Sequence, residues 1–200
     1  MNKFFGGKRF SAQEIAGVGV LLALVIVLQV FGGTISIGVV QLNFTLIPIV
    51  LGAIIYGALV GAFLGFVCGA IILIQVISGV VPFYVLIWTN DPIVTTLVCL
   101  LKTTVAGFVA GLIYNVIAKK NGLVAMFVAS AIVPVINTLI FVLGCLLMFN
   151  SVYTLNGTQN ILVYILVSIV TFNFFIELGI NLLVSPALCK VVDVIKKNKR

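Results

Sequence analysis

Two ionisable residues stand in stretches that are otherwise almost wholly apolar. Lys102 is embedded in TTLVCLLKTTVAGFVAGLIYNV and Glu177 in TFNFFIELGINLLV. A charge in such surroundings is costly, and it persists where it is paired or where it does work. Asn173 lies four residues before Glu177 and Asn181 four after, so at helical spacing the three form one polar stripe. Asn137 and Thr138 follow Pro134 in another apolar run, Asn43 and Thr45 open a third, and Thr103 and Thr104 follow Lys102. Three chemistries are open to this set. Lys102 and Glu177 could form a structural ion pair between two helices. Lys102 could face the anionic group of a ligand, with Asn137 and Asn173 offering hydrogen bonds. A proton relay is the third, although one glutamate with no histidine and no second buried carboxylate is a thin set for it. The loop VVPFYVLIWTNDP brings Trp88, Asn90 and Asp91 together, as an aromatic lid over polar groups or as an aromatic anchor at a membrane interface.

Catalysis is disfavoured, and the chain reads as a non-enzyme that needs no cofactor. It has no GxxxxGK[ST] phosphate loop, no HExxH, no GxSxG and no histidine for general-base work. Cys68, Cys99, Cys145 and Cys189 fall in four different apolar runs without a CxxC pair, which suits small packing residues rather than a zinc or disulfide framework.

The elements that must position these residues follow from composition. Of 200 residues, 63% are hydrophobic and 8% charged, against about 25% charged in a soluble domain. So few charges cannot cover a water-facing surface, and the solvent must be a bilayer. There every backbone polar group needs an internal partner, which leaves helices or a closed barrel. Continuous apolar runs of about 20 residues, without alternation of polar and apolar positions, are the helical signal. The expected fold is an all-α membrane protein, a compact bundle of six transmembrane helices in one domain over residues 1–200. The spans are placed at about 12–31, 42–56, 58–78, 93–118, 123–149 and 161–188, with Gly57 at a very tight turn between the second and third. The opening MNKFFGGKRF is basic and aromatic rather than a cleavable signal.

Basic residues set the orientation. Lys3, Lys8 and Arg9 precede the first span, Lys119 and Lys120 separate the fourth from the fifth, and Lys190, Lys196, Lys197, Lys199 and Arg200 follow or end the sixth. Six spans place all three clusters on one side, which the positive-inside rule makes the cytoplasm. The expected location is the cell membrane, multi-pass, with both termini cytoplasmic. The net charge of +7 is then anchoring and attraction to anionic lipid, and it calls for no nucleic-acid partner.

Small residues form stripes. Gly57, Gly61, Gly65 and Gly69 recur every four residues on the third span, and Ala106, Gly107, Ala110 and Gly111 repeat the pattern on the fourth. Ala12, Ala16, Gly19 and Ala23 mark the first. Such faces let helix backbones approach closely, within the bundle or against a separate membrane partner. The three-span halves show no visible repeat, which speaks against a self-sufficient alternating-access carrier.

In joint order, several stretches resemble one family. LNFTLIPIVLGAIIYGALVGAFLGFVCG, CLLKTTVAGFVAGLIYNVIAKK, IVPVINTLIFVLGCLL and NFFIELGINLLVSP look like the second to sixth helices of the substrate-binding S-components of energy-coupling factor vitamin transporters, over nearly the whole chain. The resemblance implies capture of a water-soluble vitamin from outside, and delivery through a transmembrane coupling protein driven by two cytoplasmic ATPases. It implies ligand contacts at Trp88, Asn90, Lys102, Asn137, Asn160 and Asn173, with Glu177 deeper. It also implies a small-xxx-small docking motif on the first helix, at Gly19 and Ala23 or in the alternative register of Ala12 and Ala16. A buried lysine favours an anionic vitamin, pantothenate- or folate-like, with riboflavin or a pyridoxine-like compound still open. The competing expectation is a small transporter or channel working alone as a homo-oligomer.

Overall fold

The computed structural model describes residues 11–32, 36–37, 40–41, 43–80, 85, 87–89, 91–156 and 171–198. Asn90 and Asn160 lie outside the described residues, as does the expected start of the sixth span at 161. Among the described residues are six helices: α1 (Ala12–Gly32), α2 (Leu46–Tyr56), α3 (Ala58–Ile77), α4 (Pro92–Ile117), α5 (Gly122–Asn156) and α6 (Thr171–Asn198). A two-residue ladder, β1 (Ser36–Ile37) with β2 (Val40–Gln41), pairs antiparallel between α1 and α2. Five helices hold stretches long and apolar enough to cross a membrane: Ala12–Gly32, Ala58–Ile77, Pro92–Ile117, Gly122–Leu147 and Asn173–Val192.

Local chemistry accounts for the helix ends. Ser11 and Glu14 form a reciprocal capping box, with the Ser11 N–H donating to Glu14 Oε2 at 3.0 Å and the Glu14 N–H to Ser11 Oγ at 3.2 Å. Asp91 caps α4, accepting from the N–H groups of Ile93 and Val94, with Pro92 already set for the first turn. Asn121 does the same for α5 through Leu123 and Val124. Gly57 turns the chain between α2 and α3 at φ 105°, a conformation that a side chain would strain.

Three helices depart from the sequence expectation, α6 among them, which runs to Asn198 rather than ending near 188. Hydropathy places the second at about 42–56, but α2 holds only 11 residues, about 16 Å at 1.5 Å per residue. It is a half-span that stops well inside the bundle, because Asn43 to Thr45 form a turn held by polar side chains of other helices. Hydropathy ends the fifth near 149 with a polar loop behind it, yet α5 continues to Asn156. Its NSVYTLN segment contains no glycine or proline, so nothing local stops the helix after the apolar stretch ends.

The core is built on the α3–α4 seam, with α5 against α4, α6 against α5 and α2, and α1 against α2 and α3. Gly61, Gly65 and Gly69 of α3 face Gly107, Thr103 and Cys99 of α4, and Gly111 faces Ala58. Any added methyl group there would overlap the facing backbone. The Thr103 hydroxyl donates across this seam to the Gly65 carbonyl at 2.6 Å. The glycine stripes of α3 and α4 therefore pack the bundle itself, as small residues do where lipid supplies no hydrophobic drive between helices. Gly17 of α1 is likewise internal, filled by the Tyr56 hydroxyl end.

Candidate functional site

A buried polar centre forms where α4, α5 and α6 meet the truncated start of α2. Lys102, Asn137, Asn173 and Glu177 are 2%, 4%, 5% and 6% exposed, so all four leave the apolar surface of their helices and point into the bundle. The Glu177 carboxylate accepts the backbone N–H of Asn43 at 3.1 Å, and the side chains of Asn43 and Asn137 also bond to it. Lys102 is near enough to act electrostatically on Glu177, and its Nζ lies 5.4 Å from the centroid of the Phe141 ring. The aromatic face thus supports a cation that lipid would not tolerate.

The start of α2 is what makes this arrangement possible. A helix N-terminus carries unsatisfied N–H groups and partial positive charge, and here it meets the Glu177 carboxylate in mid-bundle. Thr45 fixes the turn. Its hydroxyl bonds Gln29 Oε1 of α1 at 3.4 Å and approaches Cys68 Sγ of α3 to 3.2 Å. Gln29 is itself clasped to Gln75, whose side chain accepts from Gln29 Nε2 at 3.0 Å and donates to the Gln29 carbonyl at 3.1 Å. Helices α1, α2 and α3 are thereby locked around the short end of α2.

Polar capacity remains at the centre. Asn137 Oδ1 and both side-chain atoms of Asn173 are buried without a hydrogen-bond partner. Such atoms are rare in folded proteins, and each marks a place where a partner of another kind is expected. The set offers two acceptors and one amide donor beside one charge of each sign, an arrangement able to hold a small polar molecule. Trp88 lies half-buried in a helical turn at 87–89 and packs against the core.

Of the residues singled out from sequence, Lys102, Asn137 and Glu177 are brought together, and Asn173 shares the Glu177 stripe one turn away. Three further residues of the centre, Asn43, Phe141 and Gln29, are not among the ligand contacts that sequence suggests. Asn43 carries a signal, a polar residue opening an apolar run. Phe141 and Gln29 carry none, because an aromatic or amide side chain in a helix does not announce its neighbour on another.

The four small residues of α1 have a different environment. Ala12, Ala16, Gly19 and Ala23 are all exposed, and nothing lies within 4 Å of the place a Gly19 methyl would occupy. The opposite face of α1, with Leu21, Val25, Gln29 and Gly32, is buried.

These features define a class: a small multi-pass membrane protein with a buried polar site and an open small-residue face on its first helix. Comparison with protein families gives the rest. Residues 13–189 match the model described as ECF transporter, substrate-specific component, and the chain belongs to that family. A search of curated proteins found no match. The chain is therefore a component of a membrane transport system rather than a complete transporter, and it works with a small-molecule substrate, a coupling protein and ATPases.

Proposed function

We propose that this chain captures a water-soluble vitamin from outside the cell at the centre formed by Lys102, Asn137, Asn173 and Glu177, and passes it on through a coupling protein docked on α1. The observation that carries this reading is the set of buried, partnerless amide atoms of Asn137 and Asn173 beside two buried charges. Trp88, Asn90 and Asn160 complete the proposed contacts, with Trp88 as a lid. Lys102 favours an anionic group on the ligand. Glu177 and the amide oxygens favour donors on the same molecule, a combination that pantothenate- and folate-like compounds carry. The basic end of the bundle faces the cytoplasm, where two ATPases drive the coupling protein, and the chain itself performs no catalysis.

The test is purification of the chain from its native membrane, with mass spectrometry of the small molecule that accompanies it. A vitamin together with a coupling protein and ATPases supports the reading. Transport at full rate by the chain alone, with neither partner present, overturns it.

The α1 face yields a separate prediction. Gly19→Leu and Ala23→Leu fill open space, so each variant should fold and bind ligand like the parent. Vitamin uptake by cells should nevertheless fall to background, because a bulky side chain prevents close approach of a partner backbone. Loss of ligand binding in the purified variants would instead assign the stripe to packing.

A further inference from the structure

The polar row of α6 does not stop at the site described above. Asn173, Glu177, Asn181 and Ser185 follow one another at four-residue spacing, and all are buried, Asn181 at 2% exposure and Ser185 at 0%. On α5, Ser130 lies seven residues before Asn137, which returns it to the same side of the helix, and it too is 0% exposed. Asn181 Oδ1, Ser185 Oγ and Ser130 Oγ are all without a hydrogen-bond partner, while Asn181 uses its Nδ2 to bond the Glu177 carbonyl at 2.8 Å. At 1.5 Å per residue, Ser130 lies about 10 Å and Ser185 about 12 Å from the Asn137–Glu177 level, both toward the basic end. That distance puts them beyond a ligand group held by Asn137 and Asn173.

Each helix also carries a proline in this stretch, Pro134 in α5 and Pro186 in α6. A proline has no N–H to offer the carbonyl four residues earlier, so the carbonyls of Ser130 and Leu182 lose their regular helical bonds. Three partnerless side-chain oxygens, and two backbone carbonyls that lack their regular helical partner, thus fall along one stretch of two packed helices, and no lipid or apolar side chain can satisfy them. The set is rich in acceptors and contains two hydroxyls that serve either role. A molecule that both donates and accepts from any direction matches it, and buried water typically makes about three such bonds.

We propose that the α5–α6 seam below the ligand site is a water-binding site, in which ordered water bridges Ser130, Asn181 and Ser185 across the two helices. These bridges hold α5 to α6 where their own ladders are interrupted. Water-mediated bonds are exchanged more readily than direct ones, so this half of the seam is the place where the two helices shift against each other at least cost. The inference is independent of the identity of the transported molecule.

The experiment is a structure of the full chain in lipid nanodiscs, at a resolution that shows ordered solvent, paired with X-ray radiolytic labelling, which marks side chains beside bound water. Water density within hydrogen-bond distance of at least two of Ser130 Oγ, Asn181 Oδ1 and Ser185 Oγ is expected. Labelling of Val133 and Leu182 should be several-fold above that of Leu64 and Ile72, which are buried in the apolar core, and should fall to their level in the S130A/S185A double variant. Serine hydroxyls turned back onto carbonyls of their own helices, with no water density on two of the three atoms, would overturn the proposal. So would labelling of Val133 and Leu182 no stronger than that of Leu64 and Ile72.

Discussion

Gly65→Ala is expected to disrupt the bundle more than any other single methyl group. The added carbon would overlap the Thr103 backbone of α4, and a flexible side chain is not there to move aside. The two helices would have to separate along a seam that Gly61, Gly69, Gly107 and Gly111 also share. Separation stretches the 2.6 Å bond from Thr103 Oγ1 to the Gly65 carbonyl. Overpacking of a tight core costs about 1–3 kcal/mol, and a lost hydrogen bond about 1 kcal/mol more. In a chain of this size that corresponds to a melting temperature lower by roughly 5–10 °C. Thermal unfolding of the detergent-solubilised protein reads it directly. Gly19→Ala, made into open space on α1, is the matched control and should melt with the parent. Equal melting of the two variants would show that α3 and α4 are not in backbone contact at Gly65.

The second large effect concerns the charges. Lys102→Met leaves Glu177 in the bundle without the cation that acts on it, and Glu177→Gln leaves Lys102 likewise. Both side chains are buried and Lys102 acts electrostatically on Glu177; if they compensate each other, removing one costs about 3–5 kcal/mol, whereas replacing both is far milder. Each single variant should therefore be markedly less stable, and K102M/E177Q should recover most of the loss. Ligand binding separates structure from function. If the centre holds the vitamin, the stable double variant still binds at least about tenfold more weakly, since a hydrogen bond to a charged group contributes about 1.5–3 kcal/mol. A double variant that is stable and binds normally would leave the pair a purely structural role.

Much of the fold is legible in the amino-acid sequence. Sparse charges and long apolar runs specify helices in a bilayer, because hydrocarbon admits few other ways to pair the backbone. Gly57 marks its turn. The helix ends are harder to read. Hydropathy locates the edge of the hydrocarbon rather than the end of the helix, so α5 runs past the expected boundary to Asn156. Nor does hydropathy warn that α2 begins only at Leu46, because the cause is a tertiary one: Glu177, Gln29 and Cys68 take up the polar groups of the Asn43–Thr45 turn.

The stripes show where sequence and structure divide. The four-residue spacing of Gly61, Gly65 and Gly69 and the two four-residue pairs Ala12 with Ala16 and Gly19 with Ala23 carry the same kind of small-residue signal. The glycines face α4 at backbone contact and the pairs face outward. Periodicity defines a face relative to a helix's own axis, but the rotation of that helix against its neighbours is set by the packing of the whole bundle. The same holds for the two ionisable residues. Their burial follows from the apolar runs around Lys102 and Glu177. That they share one centre with Asn43, Asn137 and the Phe141 ring is decided only when a half-length α2 brings its N-terminus against Glu177 inside the bundle.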